Sequence, residues 1–469
     1  MLAFTPELLA RWTAGHWTVA PGVPLSGFAI DSRAIRPGEV FVALKTSARD
    51  GHDFLGAAAA AGAAAAVVSR ADPRIGLPQL VVTDPLASFQ AIAREHRRTF
   101  TGPVIGITGS AGKTSTKNLL ARLLGAVETG GPVLATSGNF NNYLGVPLTL
   151  TRLDPAVHRY AVIEAGISVP GDMTTLAAMI EPDLALTTLI GPAHIQELGS
   201  LDGVAREKAV LSAGVRPTGV AIFPTQCAEF AAFRELAVRR LIIEPALVVR
   251  PEAPPKDKVY FAITQRGDAT AIALAYGDPP PLSFTLRRVT DGMAQNAVIA
   301  ICAALWLGVD RALIQQRLDG YVSGSLRGEW RETPQSRFYL DCYNANPASM
   351  LDALATFLAV APVGEPRLLV LGGMEELGEA APRYHRELGR SLRLRPQDRV
   401  ITIGGNAGEV VQGGLEAGCV SSQLEIAVDL SSITARIAAF SGSVFVKGSR
   451  RYELERALPA GVVPSSDHA

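Results

Sequence analysis

Residues 104–124, VIGITGSAGKTSTKNLLARLL, constrain the fold more than any other stretch of the chain. VIGIT is an apolar, β-branched run, too short for a helix and suited to a strand covered on both faces. Gly109, Ser110, Ala111, Gly112, Lys113, Thr114 and Ser115 then make a tight turn, and TKNLLARLL continues with apolar residues at helical spacing. A strand feeding a helix through such a turn calls for a second parallel strand, because the helix has to cross back over the sheet. The expected class is therefore α/β. Glycines let backbone N–H groups turn inward on a phosphate chain, and the helix N-terminus adds its dipole. Lys113 can reach the outer phosphates, and Thr114 can place a hydroxyl on Mg2+. The strict pattern GxxxxGK[ST] needs glycine at position 107, where the chain has Ile107, so the match is to the shorter form GxxGKT. The plain alternative is a strand-to-helix turn with a solvent-facing lysine.

At 469 residues the chain exceeds what one core usually supports, and its rhythm divides it into three units: 1–102, 103–320 and 321–469. In the first, EVFVAL, AAVVS and QLVVT alternate with Ala-rich segments, and FLGAAAAAGAAAAVVSR reads as a packed helix leading into a strand. In the second, VIGIT, YAVIEAG, DLALTTL and GVAIFP are nearly all apolar, as parallel strands are. The stretch PPKDKVYFAITQRGDATAIALAYGDPPPLSFTLRRV alternates between Pro-rich turns, which predicts an antiparallel insertion or edge. VTDGMAQNAVIAICAALWLGV reads as a buried helix with a polar N-terminal end rather than a membrane span. In the third unit RFYLDCYNANP, RLLVLGG, RVITIGG and SVFVKGSR repeat the α/β pattern, and their carboxyl ends are where ligands bind in open sheets.

A formal net charge of +0 with 19% charged residues lacks the excess of a nucleic-acid binder. Cys227, Cys302, Cys342 and Cys419 form no CxxC pair, so a disulfide framework is not expected. MLAFTPELLARWTAGHW does not read as a signal peptide, and a cytoplasmic protein without membrane insertion is expected.

Several polar residues fall at strand ends. Glu164 closes YAVIEAG, where burial would be costly without a cation or donor, and is a candidate Mg2+ ligand. His194 follows the next strand and is a candidate on the same edge, against the plainer reading of a structural histidine. Lys208, in GVAREKAVL, taken alone reads as a surface lysine. Asp341, Asn344 and Asn346 bunch at a strand-to-helix junction ahead of Pro347, as a ligand site or as turn and cap residues. FVKGSR puts Lys447, Ser449 and Arg450 at a strand end as an anion site would. Arg327, in RGEW, is placed to approach a phosphate from across a cleft.

Together these strings resemble the Mur ligase family, ATP-dependent enzymes that add amino acids to the UDP-linked peptidoglycan precursor. The likeness runs nearly the whole length: DSRAIRPGEVFVAL, DGHDF, TGSAGKTSTK, GNFNNYLGVPLTL, EAG, AHIQELGSLDGVAREK, DCYNANPASM, GGMEELGEAAPRYH and VKGSR. NFNN with LGVPLTL, YNANP and MEELG is most similar to the branch that joins D-alanyl-D-alanine to UDP-N-acetylmuramoyl-tripeptide. The resemblance implies three domains: one for the UDP-sugar, a central P-loop ATPase domain, and a C-terminal Rossmann-like domain taking the dipeptide. It implies activation of a carboxylate by ATP and Mg2+ as an acyl phosphate, attacked by an amine, with release of ADP and phosphate. Lys113 and Thr114 would bind phosphates and Mg2+, Glu164 and His194 would serve metal sites, and Lys208 matches a lysine carried as a carbamate. Asn296 would lie near the adenine, Asp341 by the ribose and Arg327 at the phosphates. Ser32 and Arg33 would fall in the UDP-sugar region, Asn141 and Asn142 in the substrate region, and Asn344 and Asn346 near the incoming dipeptide. The partners implied are small molecules, acting on a monomer.

The chain departs from the family pattern at Leu189, which precedes Ile190 and Gly191 where an asparagine is usual. Gly292 and Met293 replace a His-Asn pair, and Ala209, Val210 and Leu211 replace Gly-Glu-Ile. A sibling ligase, a folylpolyglutamate synthase-like enzyme and a UDP-sugar-binding homologue without turnover remain alternatives.

Overall fold

A computed structural model describes residues 4–127, 130–250, 252–322 and 324–462. Three sheets follow one another along the chain, each with its own core. The first has five strands, in spatial order His16–Trp17, Gln79–Val81, Ala65–Val68, Glu39–Val42 and Gly27–Ala29, parallel except for the first pair. The Ala-rich run forms a short helix, Leu55–Ala60, and the strand Ala65–Val68, as expected. The helix Pro85–Thr99 closes this unit. Asp84 caps it by accepting from Leu86 and Ala87 N–H, and Pro85 occupies the first turn, where a missing N–H costs nothing. Phe89 and Ile92 face the first core, whereas Ala93 faces the second. The fully buried Arg97 donates from Nε to Ile180 O and from Nη2 to Glu181 O and Asp183 Oδ2, fastening the two units together.

The central sheet has nine strands. In order they are Leu282–Arg287, Ala269–Ala275, Lys258–Arg266, Arg240–Pro245, Val220–Pro224, Leu184–Thr187, Val104–Thr108, Tyr160–Glu164 and Val133–Ala135. Pairing is parallel from Val133–Ala135 as far as Lys258–Arg266, and the last two strands add an antiparallel meander at the edge the Pro-rich turns predict. Helix Asp291–Trp306 is buried along almost its whole length and packs with Leu119, Leu120 and Leu123 of the loop helix Lys113–Leu123 on one face of the sheet. Such an all-round apolar helix is stable only inside a core. No described helix is long and apolar enough to cross a membrane.

The third sheet has the order Glu329–Glu332, Ser336–Leu340, Gly442–Lys447, Arg367–Gly372, Arg399–Ile403 and Leu424–Ile426, parallel except for the first pair. Helices Pro347–Val360, Ala381–Arg390 and Ala407–Glu416 cover one face, and Leu430–Ala438 with the turn Leu454–Ala457 covers the other. The carboxyl ends of its strands face the glycine loop across a cleft of about 1660 Å³.

Candidate active site

The glycine loop sets the geometry. Gly109 has φ +145°, and a Cβ there would stand 1.8 Å from Thr188 Oγ1. Gly112 has φ +80°, and a Cβ there would stand 2.4 Å from Asn296 Nδ2. The first glycine admits the neighbouring strand end, and the second admits the amide that the Asp291–Trp306 helix presses against the loop. Ser110 N–H donates to Leu189 O (2.9 Å), its hydroxyl donates to Gly191 O (2.8 Å), and Gly191 N–H donates back to Ser110 Oγ (2.9 Å). Thr188 Oγ1 donates to Ala111 O. The loop is thus held from the adjacent strand chiefly through backbone atoms.

Lys113 opens the loop helix and its Nζ donates to Gly109 O (2.8 Å). Burial pushes its pKa down, with Glu164 working against that shift. Glu164 is 2% exposed, and its two carboxylate oxygens accept from Thr114 Oγ1 (2.9 Å) and Asn141 Nδ2 (2.9 Å). Thr114 and Glu164 therefore present hard oxygen donors side by side at the phosphate end of the loop, the chemistry that suits Mg2+. Among the described residues no three of His, Cys, Asp or Glu gather as a metal cluster, so phosphate oxygens and water would complete such a site, as is usual for Mg2+.

His194 reaches the same cleft and is paired there with a residue of the third unit. Its φ is +54°, and its Nδ1 pairs with Glu376 Oε2 at 2.7 Å, joining the central unit to the third. The His194 contact holds the Glu376 carboxyl below the usual range. Glu376, itself at φ +64°, is not legible from the sequence, since nothing local in GGMEELG marks a partner that lies some 180 residues away.

Lys208 corrects the surface reading. It is 1% exposed, on the inner face of helix Leu201–Ala213 with Val204, Ala205, Leu211 and Ser212. A signal for this is present in the sequence, because Lys208 lies four residues after Val204 and four before Ser212, on one helical stripe. Among the described residues its ammonium has no hydrogen bond or ion pair, and burial together with nearby Lys113 pushes its pKa well below the ordinary lysine value.

From the third unit come Asp341, Arg327 and Asn346. Burial raises the Asp341 carboxyl, and Lys447 draws it down. Lys447 Nζ donates to Asp341 Oδ2 (2.6 Å), Asp341 O (3.2 Å) and Asn344 O (3.2 Å). Lys447 is 1% exposed and Arg450 pairs with Glu455, yet Lys447, Ser449 and Arg450 of FVKGSR all line the cleft. Arg327 lies over the Tyr343 ring, 3.9 Å from the centroid, and lines the cleft. Asn346 caps helix Pro347–Val360 through Ser349 N–H and donates from Nδ2 to Ser110 O (3.3 Å). Asn344 accepts from its neighbour Ala345 N–H, and Asn142 Oδ1 accepts from Leu144 and Gly145 N–H where helix Gly145–Leu150 begins, so both serve the backbone as well as lining the cleft. Ser115 and Asn296 line it too. Ser32 and Arg33 do not; they sit on a turn of the first unit, with Arg33 paired to Asp31 at 2.7 Å.

A glycine loop between strand and helix, an oxygen-donor pair beside it and a second α/β unit facing both across a cleft are the arrangement of a multidomain nucleotide-using enzyme. Family models match in three blocks: Mur ligase family, catalytic domain, over residues 24–97; Mur ligase middle domain over 107–304; and Mur ligase, glutamate ligase domain, over 326–450. The chain belongs to the Mur ligase family and is a ligase. The UDP-N-acetylmuramoyl-tripeptide--D-alanyl-D-alanine ligase of Escherichia coli is 30% identical over 441 residues, covering 93% of this chain and 94% of that one. Among solved structures, MurF from Acinetobacter baumannii superposes with a TM-score of 0.85 at 29% identity, covering 97% and 98% of the two chains. MurF from Thermotoga maritima in complex with ADP gives 0.76 at 25% identity, covering 92% and 96%.

Proposed function

We propose that the protein joins D-alanyl-D-alanine to UDP-N-acetylmuramoyl-tripeptide at the expense of ATP. The terminal carboxylate of the tripeptide attacks the γ-phosphorus of ATP, giving an acyl phosphate and ADP. The dipeptide amine then attacks the acyl carbon, the C–N bond forms, and the C–O bond to phosphate breaks. The observation that carries the reading is the pairing of Thr114 with the buried Glu164 beside Lys113, joined by the names of the long, full-length relatives.

Lys113 would leave Gly109 O for the outer phosphates, and Arg327 would approach them from the third unit, since phosphoryl transfer depends on positioning and charge neutralisation. Mg2+ held by Thr114 and Glu164 would neutralise charge on the transferring phosphoryl group. Asn296 would meet the adenine and Asp341 the ribose. We assign the UDP-sugar to 1–102, where Ser32 and Arg33 lie, ATP to 103–320, and the dipeptide to 321–469. Lys208 fits a carbamate: a buried amine without an anionic partner is held toward its neutral, nucleophilic form, and its addition to CO2 releases one proton and leaves a carboxylate. That carboxylate would serve a second Mg2+, with His194 released from Glu376. The enzyme would act as a cytoplasmic monomer.

The test is phosphate release from ATP and Mg2+ with each co-substrate omitted in turn. Release that needs both, with the joined pentapeptide as product by mass, supports the reading. Release with a single amino acid or a folate in place of the dipeptide would move the chain to another branch. No release with any of these would leave a binding protein.

A further inference from the structure

The first turn of helix Asp291–Trp306 is capped from another unit. A helix N-terminus leaves four N–H groups without partners inside the helix. Thr290 takes Met293 N–H on its hydroxyl (3.0 Å), but Gly292 N–H goes to Asp352, 3.2 Å from each carboxylate oxygen. Burial raises the Asp352 carboxyl, and Thr290 and the Gly292 N–H draw it back down. Asp352 belongs to helix Pro347–Val360 of the third unit.

Position 292 must be bare for this contact. A Cβ there would stand 2.6 Å from Asp352 Oδ2 and 3.3 Å from its Cγ. Gly292 has no left-handed backbone to account for it, and glycine inside a helix is unfavourable by about 1 kcal/mol relative to alanine. Close approach of the carboxylate is what the glycine allows. One turn on, Asn296 presses against Gly112 of the phosphate loop. The same Pro347–Val360 helix touches that loop from its N-cap, through Asn346 and Ser110. The first turn of the Asp291–Trp306 helix therefore links Asp352 to the loop.

We propose that Asp352 is a positioning residue for the nucleotide: by capping at Gly292 it sets Asn296 against the loop only while the third unit is docked, so that docking builds ATP affinity. This rests on the ATP reading of the cleft. The effect is worth a charged helix cap, about a tenfold change in affinity.

The experiment uses the full-length chain and titrates Mg-ATP calorimetrically without co-substrates, alongside KM for ATP and for the UDP-linked substrate. Asp352→Ala and Gly292→Ala are each expected to raise Kd and KM for ATP about tenfold, leaving KM for the UDP-linked substrate within about twofold. The double variant is expected to bind no worse than the worse single one, because both remove one contact. Asp352→Leu, which keeps the branched shape but has no oxygen to accept Gly292 N–H, is the variant of choice if the others fail to fold, and the same rise in Kd and KM for ATP is expected of it. Wild-type binding of ATP with variants that melt lower but keep their ATP constants, or effects that add, would overturn the role of Asp352. Wild-type protein that binds no ATP would overturn the ATP reading itself, and this role with it.

Discussion

Replacing Lys447 by methionine tests whether the strand end at 447 is a buried ion pair or a spare anion site. The ammonium is almost fully enclosed and has three oxygen acceptors, two of them on Asp341. Met fills a similar volume but removes the ammonium bonded to the Asp341 carboxylate, which is 20% exposed, and leaves Arg327 as the remaining cation acting on it. Breaking such a pair from one side costs about 3–5 kcal/mol, more than the hydrogen bonds to the Asp341 and Asn344 carbonyls that disappear with it. The pH dependence gives the sharper signature. Burial already raises the folded Asp341 pKa above its ordinary 3.8, so its charged form opposes folding, and stability falls as pH rises from the ordinary carboxylate range through the folded pKa. Without Lys447 the folded pKa rises further, and that loss extends to higher pH. Lys447→Met is therefore expected to be most destabilised at neutral pH and to recover on acidification. Asp341→Asn in the same chain should restore stability to within about 1 kcal/mol. Hydrogen exchange of the strand Gly442–Lys447 under increasing urea reads the third unit separately from the other two. A single variant within about 1 kcal/mol of wild type at neutral pH, with no change on acidification, would refute a buried charge pair.

Three further outcomes are expected. Gly112→Ala forces a left-handed alanine, about 1–2 kcal/mol, and displaces Asn296, so calorimetry should show ATP affinity at least about tenfold weaker; unchanged affinity would remove Asn296 from the nucleotide site. Glu164→Gln should raise the Mg2+ concentration for half-maximal phosphate release by about tenfold while leaving the melting temperature nearly unchanged, and an unchanged Mg2+ dependence would rule out the Thr114–Glu164 pair as ligands. Lys208→Ala should abolish turnover and regain part of it with a short carboxylic acid, and stripping CO2 should slow the wild type; a Lys208→Ala enzyme with full activity would dismiss the carbamate.

Much of the architecture is legible in local pattern, because a strand covered on both faces and a glycine turn each have a signature within a few residues. VIGIT, the Ala-rich helix, the antiparallel edge after PPKDK and the buried Asp291–Trp306 helix are all of this kind. Site residues are legible as types at strand ends, but their partners are not. Asp341 and Lys447 are 106 positions apart, and no periodicity connects them. His194 with Glu376 and Gly292 with Asp352 join separate units, so their pairing depends on how those units dock. Lys208 misleads for a different reason: its charge points outward while a helical stripe places it inside. Asn346 illustrates a third limit, since one side chain caps a helix and touches the phosphate loop at once.

The stitching of Ser110 to the neighbouring strand end bears on how this chain could diverge. The contacts at Leu189 and Gly191 are made by their main-chain atoms, which every residue except proline supplies in full. A substitution at 189 that keeps the main chain in place leaves the stitch intact, whereas one at 110 that loses the hydroxyl removes two of its three hydrogen bonds. The leucine at 189 thus anchors the loop through its carbonyl alone while its side chain lines the cleft, so a different residue there would be felt by the ligand rather than by the loop.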